Sequence, residues 1–169
     1  EIVEPLNIDL LRESALLVTG IANLYRGNFE GALASMDLAL GLSSDEVVYN
    51  WGQDARALAY MFSGFAAHLV GRPDDARRRA ASGIRCAALG NDAHLITVTA
   101  QFDSILARWQ GDTVRARERA VYVDRVSDEN GLGLWKPVTG WVHGWVRAQE
   151  GELGAGVSEM TAHLARYEE

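Results

Sequence analysis

The feature that most constrains this chain is a spaced set of small residues that occurs four times along its length. Each copy has a small residue, a glycine seven positions later and another small residue five positions after that glycine. Recurrence at a fixed spacing is typical of proteins that stack one supersecondary unit. The sequence therefore predicts one helix-turn-helix unit stacked four times. The four copies are Gly20, Gly27 and Ala32; Gly64, Gly71 and Ala76; Ser104, Gly111 and Ala116; and Gly144, Gly151 and Gly156.

The central glycines of the four copies are 44, 40 and 40 residues apart, with no linker or low-complexity segment between them. Apolar residues recur every three or four positions on both sides of each central glycine, which is the pattern of amphipathic helices. We expect one domain over 1–169 with units at about 8–41, 45–90, 93–130 and 134–168. The expected helices are about 8–25, 29–40, from near Asp45 or Trp51 to Val70, 74–89, 93–110, 113–129, 134–150 and 153–167.

Composition agrees with an all-α protein. The chain of 169 residues is 48% hydrophobic and has 17 glycines but only three prolines, so glycine separates the helices. No apolar run approaches the ~18 residues that a membrane helix needs, and the single cysteine, Cys86, favours a cytoplasmic location. The net charge of −7 argues against nucleic acid as a partner. Lys136 is the only lysine, which indicates a GC-rich bacterial source.

Glycine inside a helix costs about 1 kcal/mol relative to alanine, so its recurrence at equivalent helical positions needs a reason. A residue with little or no side chain lets two antiparallel helices cross at a short interaxial distance. We expect the first small residue of each copy to face the second across such a crossing. The central glycine supplies the positive φ that a tight turn between helices requires.

The segment from Gly20 through Gly27-Asn28-Phe29 to Ala32 resembles the tetratricopeptide repeat, in which a mid-helix Gly or Ala precedes a Gly-Asp/Asn-aromatic-x-x-Ala turn. The period of 40–44 residues exceeds the 34 of that family. The resemblance implies a right-handed superhelix of about four antiparallel hairpins. Trp109-Gln110-Gly111-Asp112 and the Gly140–Gly151 segment are similar to C-terminal repeats of large bacterial ATPase-containing transcription activators and nucleotide cyclases. We therefore expect a piece of a longer regulatory protein.

Residues that could carry chemistry are few and scattered. None of His68, His94, His143 and His163 has metal-ligand neighbours at helical spacing beyond the weak pair of His163 with Glu159. There is no phosphate-binding loop ending in Lys-Ser/Thr, and no histidine lies near Cys86 in sequence. The sequence predicts a non-enzymatic protein with neither metal nor cofactor.

The first helix of each unit lines the inner groove in the tetratricopeptide arrangement. The resemblance places an apolar and aromatic channel there, which suits a peptide or a small apolar ligand. The alternative is that these side chains form the core. The candidate peptide or ligand positions are Phe65, His68, Gln101, Arg108, Trp141, Trp145 and Gln149, and further groove positions are Leu17, Ile21, Tyr25, Leu58, Met61, Val98 and Ile105.

Two basic runs occupy equivalent second helices. If the units stack, these helices form one positive strip that could dock an acidic partner, because arginine binds carboxylates in a bidentate manner. The alternative is a solvated surface neutralised by nearby carboxylates. The runs are Arg77, Arg78, Arg79 and Arg85, and Arg115, Arg117, Arg119 and Arg125.

Three functional hypotheses follow. The first is an interaction module of a bacterial signalling or transcription-regulatory protein, binding a protein, a peptide or another domain of its own chain. The second is a small-molecule sensor with a ligand in the groove. The third is a scaffold that associates with itself through uncapped terminal units. None of the three involves nucleic acid or a membrane.

Overall fold

The computed structural model describes residues 8–42, 49–50 and 53–167, and nearly all of these residues are helical. The all-α class predicted from the sequence is confirmed. Among the described residues, no helix has the length and apolar character needed to cross a membrane. The elements in chain order are α1 (Ile8–Tyr25), α2 (Phe29–Leu42), β1 (Tyr49–Asn50), β2 (Gln53–Asp54), α3 (Ala55–Leu69), α4 (Pro73–Leu89), α5 (Ala93–Trp109), α6 (Thr113–Asn130), a 3₁₀ turn (Gly133–Trp135), α7 (Lys136–Gln149) and α8 (Leu153–Tyr167).

The chain forms two compact units, the first ending at Gly90 and the second beginning at Asn91. In the first unit, α1 packs on α2 and α3 packs on α4, and α3 also contacts both α1 and α2. In the second unit, α5 packs on α6 and α7 on α8, while α7 also contacts both α5 and α6. Each unit therefore consists of two helix hairpins in contact.

The four hairpin turns have the same backbone geometry. Their central glycines, Gly27, Gly71, Gly111 and Gly151, have φ between +69° and +100°, which is the left-handed region. The residue after each glycine donates its amide hydrogen to the carbonyl five residues earlier, as in Asn28 to Asn23 at 2.9 Å. This bond is the mark of a Schellman helix end. The recurring turn seen in the sequence is therefore one recurring structure.

Small residues lie where the paired helices come closest. An ideal Cβ on Gly64 would lie 3.4 Å from the carbonyl oxygen of Ala76, and one on Gly144 would lie 2.7 Å from that of Gly156. A Cβ on Gly20 would meet Met36 at 2.7 Å and the Ala32 carbonyl oxygen at 3.3 Å. In the third hairpin, Ser104 and Ala116 are both fully buried. Gly83, which has no counterpart in the repeated skeleton, is also tightly packed, because its Cβ would lie 3.2 Å from the Ala57 carbonyl oxygen.

The approach to α3 differs from the sequence prediction. The expected starts near Asp45 or Trp51 lie outside the described residues, and α3 begins only at Ala55. Before it, β1 and β2 pair antiparallel, with Tyr49 opposite Asp54. Asp54 is buried and ends this short ladder by capping α3, its carboxylate accepting the backbone amide hydrogen of Arg56 at 2.9 Å. A capping Asp therefore sets the helix start.

The other connections also depart from the prediction in detail. After α4, Asn91 has φ +50°, whereas Gly90 stays in the right-handed region at −75°. Asp92 then caps α5 by accepting the amide hydrogen of Leu95 at 3.1 Å. The predicted helix from 134 is split, since a 3₁₀ turn precedes α7 at Lys136. Pro137 sits in the first turn of α7, where its missing amide hydrogen costs no hydrogen bond.

Candidate functional site

An apolar hollow lies between α7 and α8 in the second unit. Its volume is about 310 Å³, and we call it the α7–α8 hollow. Half-buried Trp141 lines it, and Leu164, which is 55% exposed, also lines it at the surface. An exposed apolar concavity of this kind is typical of ligand and partner sites. The hollow is lined by Pro137, Val138, Trp141, His163 and Leu164.

His163 reaches the hollow because Gly140 has no side chain. A Cβ on Gly140 would collide with the imidazole ring of His163, so the ring lies directly on the backbone of α7. The Nδ1 atom of His163 is buried and has no hydrogen-bond partner among the described residues. Because that atom is buried, the hollow presents an apolar lining.

Trp141 also carries a cation. The guanidinium carbon of Arg108, on α5, lies 3.7 Å from the centre of the Trp141 ring, within the range of a cation–π contact. Burial lowers the pKa of Arg108 to about 10, and its Nε atom has no hydrogen-bond partner among the described residues. Two of the candidate positions from the sequence are thereby in contact, and Arg108 holds the indole of Trp141 in place.

The other candidate positions of the second unit have different environments. Gln101 is 1% exposed, and neither atom of its amide group has a hydrogen-bond partner in the described part of the chain. Trp145 is half-buried and packs on the core cluster that contains Val142 and Val146. Gln149, at the end of α7, is exposed. Trp145 therefore packs against the core while part of its side chain stays exposed.

In the first unit, the candidates Phe65 and His68 are both half-buried on α3. Three further positions expected to face a groove, Leu17, Leu58 and Met61, are at most 7% exposed. The prediction that these residues line an open channel was wrong at those three positions, because neighbouring helices cover them. Helical spacing shows that residues share a face, but it does not show whether another helix lies against that face.

A polar cluster that the sequence analysis missed joins α6 to α7. The Thr139 hydroxyl donates to Asp124 Oδ1 at 2.6 Å, and His143 Nε2 lies 2.7 Å from Asp124 Oδ2. Burial alone raises the pKa of Asp124, but the hydrogen bonds from His143 and Thr139 outweigh it, so the pKa is lowered overall. The sequence indicated this cluster only through the distances of its residues from the turn glycines. Asp124 lies 13 residues after one turn glycine and Thr139 lies 12 before the next, so both face the contact between hairpins.

The two basic runs are largely paired with carboxylates. Arg79 binds Asp37 at 2.6 Å and Asp75 at 3.1 Å. In the second unit, Asp103 is buried and pairs with Arg119 at 2.7 Å. Further pairs join Arg78 to Asp75, Arg115 to Asp103 and Arg117 to Glu150. The interpretation as a neutralised surface therefore fits these five arginines better than that of a free positive strip.

Within the described ranges, no group of three or more His, Cys, Asp or Glu side chains is placed to hold a metal ion. Burial raises the pKa of the Cys86 thiol, so the reactive thiolate is disfavoured at neutral pH. His94 lies against Trp135, with ring centres 5.8 Å apart.

Comparison of the chain with protein-family models, with curated proteins and with solved structures finds no match.

Proposed function

We propose that this chain is a non-enzymatic interaction module that binds an amphipathic helix of a partner protein in the α7–α8 hollow. The observation that carries the proposal is the apolar hollow itself, which is lined by Trp141, in contact with Arg108, and by the exposed Leu164. Burying these side chains under a partner is favourable, at about 25 cal/mol per Å² of apolar surface removed from water.

A helix suits this surface because its walls are two antiparallel helices. A groove between helices accepts the apolar stripe of a third helix through side chains spaced three and four residues apart. Because the Nδ1 atom of His163 is buried, we expect apolar side chains of the partner helix to make the contact.

The setting that we propose is a cytoplasmic bacterial signalling or transcription-regulatory protein. It is supported by the resemblance of the Gly20–Ala32 segment to tetratricopeptide repeats and by the similarity of the tryptophan-containing segments to regulator repeats. On the same ground, we propose that the hairpins continue one another in a right-handed superhelix. The partner helix would then belong to another protein or to another domain of the same chain.

A display selection tests the proposal. A library of randomised amphipathic helices on phage is panned against the immobilised chain, and selected peptides are titrated in solution. We expect helices with an apolar stripe to bind with dissociation constants in the range of roughly 1–100 μM.

Two variants make the test specific to the hollow. Leu164→Glu places a charge at the edge of the hollow and is expected to weaken binding at least tenfold. Val114→Glu puts the same charge at an exposed valine on α6, outside the hollow, and is expected to bind as the original chain does. Failure to enrich any helix, or equal weakening by both variants, would contradict the proposal.

A second candidate, a small-molecule sensor, is favoured by the size of the hollow. About 310 Å³ is at the lower end of the range for ligand pockets, and the lining of the hollow is apolar. Thermal-shift screening with small aromatic metabolites would raise the melting temperature of the chain if one binds. We expect Trp141→Ala to abolish that rise and Trp109→Ala, which changes an exposed tryptophan outside the hollow, to retain it. A screen without any hit would leave the helix as the better candidate.

A further inference from the structure

One face of α1 is apolar and exposed. Leu11, Ala15, Val18, Ala22 and Tyr25 follow one another at spacings of four and three residues, so they form a single stripe along the helix. Leu11, Val18 and Tyr25 are 56%, 41% and 78% exposed. The opposite side of α1 carries Gly20, which packs against α2. We call the five stripe residues the α1 stripe.

Four of these five positions are buried or half-buried in α3, whereas the fifth, that of Tyr25, is exposed there too, as Leu69. Counted back from the turn glycine, Leu11, Ala15 and Ala22 occupy the positions that Ala55, Ala59 and Ala66 occupy in α3. These three alanines are at most 2% exposed. They lie on the side of α3 away from α4, in the unit where α3 contacts α1 and α2. In the first unit, this face of α3 thus packs on the preceding hairpin, which is formed by α1 and α2.

The second unit shows the same relation through direct contacts. The corresponding positions of α7 include Thr139, Val142 and Val146. Val142 and Val146 form a buried cluster with Ala107 of α5 and with Ala116 and Ala120 of α6. Thr139 donates a hydrogen bond to Asp124 of α6. This face of α7 therefore lies against the preceding hairpin.

The α1 stripe matches such a packing face in size as well as in polarity. Ala15 and Ala22 occupy the positions of Ala59 and Ala66 in α3, so small residues lie at the same two points of both helices. Small side chains at these points let the two backbones approach closely.

The α7–α8 hollow has the complementary character. Trp141 lies ten residues before its turn glycine, and three other residues share this position in their own hairpins: Leu17, Met61 and Gln101. Those three are at most 4% exposed, whereas Trp141 is only half-buried. Leu164 and Val157 of α8 are exposed at the positions of Asp124 and Arg117 in α6. Asp124 binds Thr139 of α7, and Arg117 binds Glu150, the residue that follows α7. The hollow on α7 and α8 is therefore equivalent to the surface of α5 and α6 on which the next hairpin packs.

We propose that the partner of the α7–α8 hollow is the α1 stripe of a second copy of this chain. The inference rests on the proposed function, because it names the helix that the hollow receives. The two surfaces are different, so the contact is heterologous, and each bound pair leaves one free stripe and one free hollow. Such contacts produce open chains or closed rings.

A complementation experiment tests this head-to-tail contact by sedimentation velocity at protein concentrations from about 1 to 300 μM. The original chain is expected to increase in mass with concentration beyond that of a dimer. Val18→Glu blocks the stripe and Leu164→Glu blocks the hollow, so each variant alone is expected to remain monomeric. An equimolar mixture of the two retains one intact stripe and one intact hollow and is expected to form a 1:1 dimer. Val114→Glu is the control and is expected to associate as the original chain does.

The outcomes separate this inference from the proposed function. A mixture of the two variants that stays monomeric, or an original chain that is monomeric throughout, overturns the self-association. If the original chain is monomeric and still binds selected helices in a way that Leu164→Glu abolishes, only the identity of the partner is wrong. If it neither associates nor binds a helix, the proposed function fails as well.

Discussion

Gly144 and Gly154 are both helical glycines of the last hairpin, but their surroundings differ. A Cβ on Gly144 would lie 2.7 Å from the Gly156 carbonyl oxygen and 2.9 Å from the Met160 backbone nitrogen, whereas a Cβ on Gly154 would meet nothing within 4 Å. We expect Gly144→Ala to lower the free energy of unfolding by about 1–3 kcal/mol, because the α7–α8 backbones must separate. Gly154→Ala should raise it by about 0.5–1 kcal/mol. Urea unfolding measures both, and equal effects would contradict the close crossing.

Asp103 provides a second test with single residues. Its carboxylate is buried between Arg119 at 2.7 Å and Arg115 at 3.6 Å. Asp103→Ala is expected to lower the free energy of unfolding by about 3 kcal/mol, because it leaves two partly buried guanidinium groups without their carboxylate. Asp128→Ala, which removes an exposed partner of Lys136, should leave stability nearly unchanged, because water and salt screen the pair. A loss at Asp128 as large as that at Asp103 would contradict this assignment.

At the scale of residues, the turn glycines were the most predictable feature. A positive φ is a local backbone property, and glycine adopts it without steric cost, so the residue type reveals the conformation. The ring of His163 on Gly140 and the burial of Asp103 could not be predicted. They depend on the rotation of one helix against another, which spacing along a single helix does not specify.

At the scale of elements, the contact between α6 and α7 depends on the carboxylate of Asp124, whose pKa is lowered because its hydrogen bonds from His143 and Thr139 outweigh burial. A lowered pKa means that the ionised group stabilises the fold above its ordinary value of 3.8. This stabilisation is lost as the pH falls from 3.8 through the lower value of the folded state. Asp124→Asn is expected to lower the free energy of unfolding by about 1 kcal/mol at pH 7.

The pH dependence checks the cause of that loss. In urea unfolding series, the difference between the original chain and Asp124→Asn should shrink steadily below pH 3.8. Asp128→Asn, at an exposed pair, serves as the control and should show little difference at pH 7. A difference for Asp124→Asn that stays constant down to the acid limit would mean that the packing of the side chain, and not its charge, stabilises the contact.

Helices were predicted well where a turn glycine or a proline marked their ends, as at α4 and α6. The prediction failed at the start of α3, because there the boundary depends on Asp54. That residue became recognisable as a cap only once its carboxylate was seen to accept the amide hydrogen of Arg56. Caps are common residues in many other roles, so a single Asp is a weak signal.

At the scale of the whole molecule, the sequence predicted hairpins but misjudged which faces stay open. Leu17, Met61, Gln101 and Trp141 share one position relative to their turn glycines, and the sequence analysis treated them alike as groove residues. Leu17, Met61 and Gln101 are buried, and only Trp141 lines an open hollow. The difference lies in what packs against each position among the described residues, and the type of the residue itself does not predict that. The account therefore depends on the α7–α8 hollow being a surface that a helix covers.

A fluorescent label in the hollow tests that claim most directly. In a Cys86→Ser background, Leu164→Cys carries an environment-sensitive dye at the edge of the hollow, and Val114→Cys carries the same dye at an exposed position outside it. Each labelled chain is titrated with an amphipathic helix peptide selected on phage against the original chain, up to about 300 μM. We predict a saturable blue shift of the emission at position 164 and none at position 114. Emission at position 164 that stays unchanged, or that only follows position 114, would contradict the account.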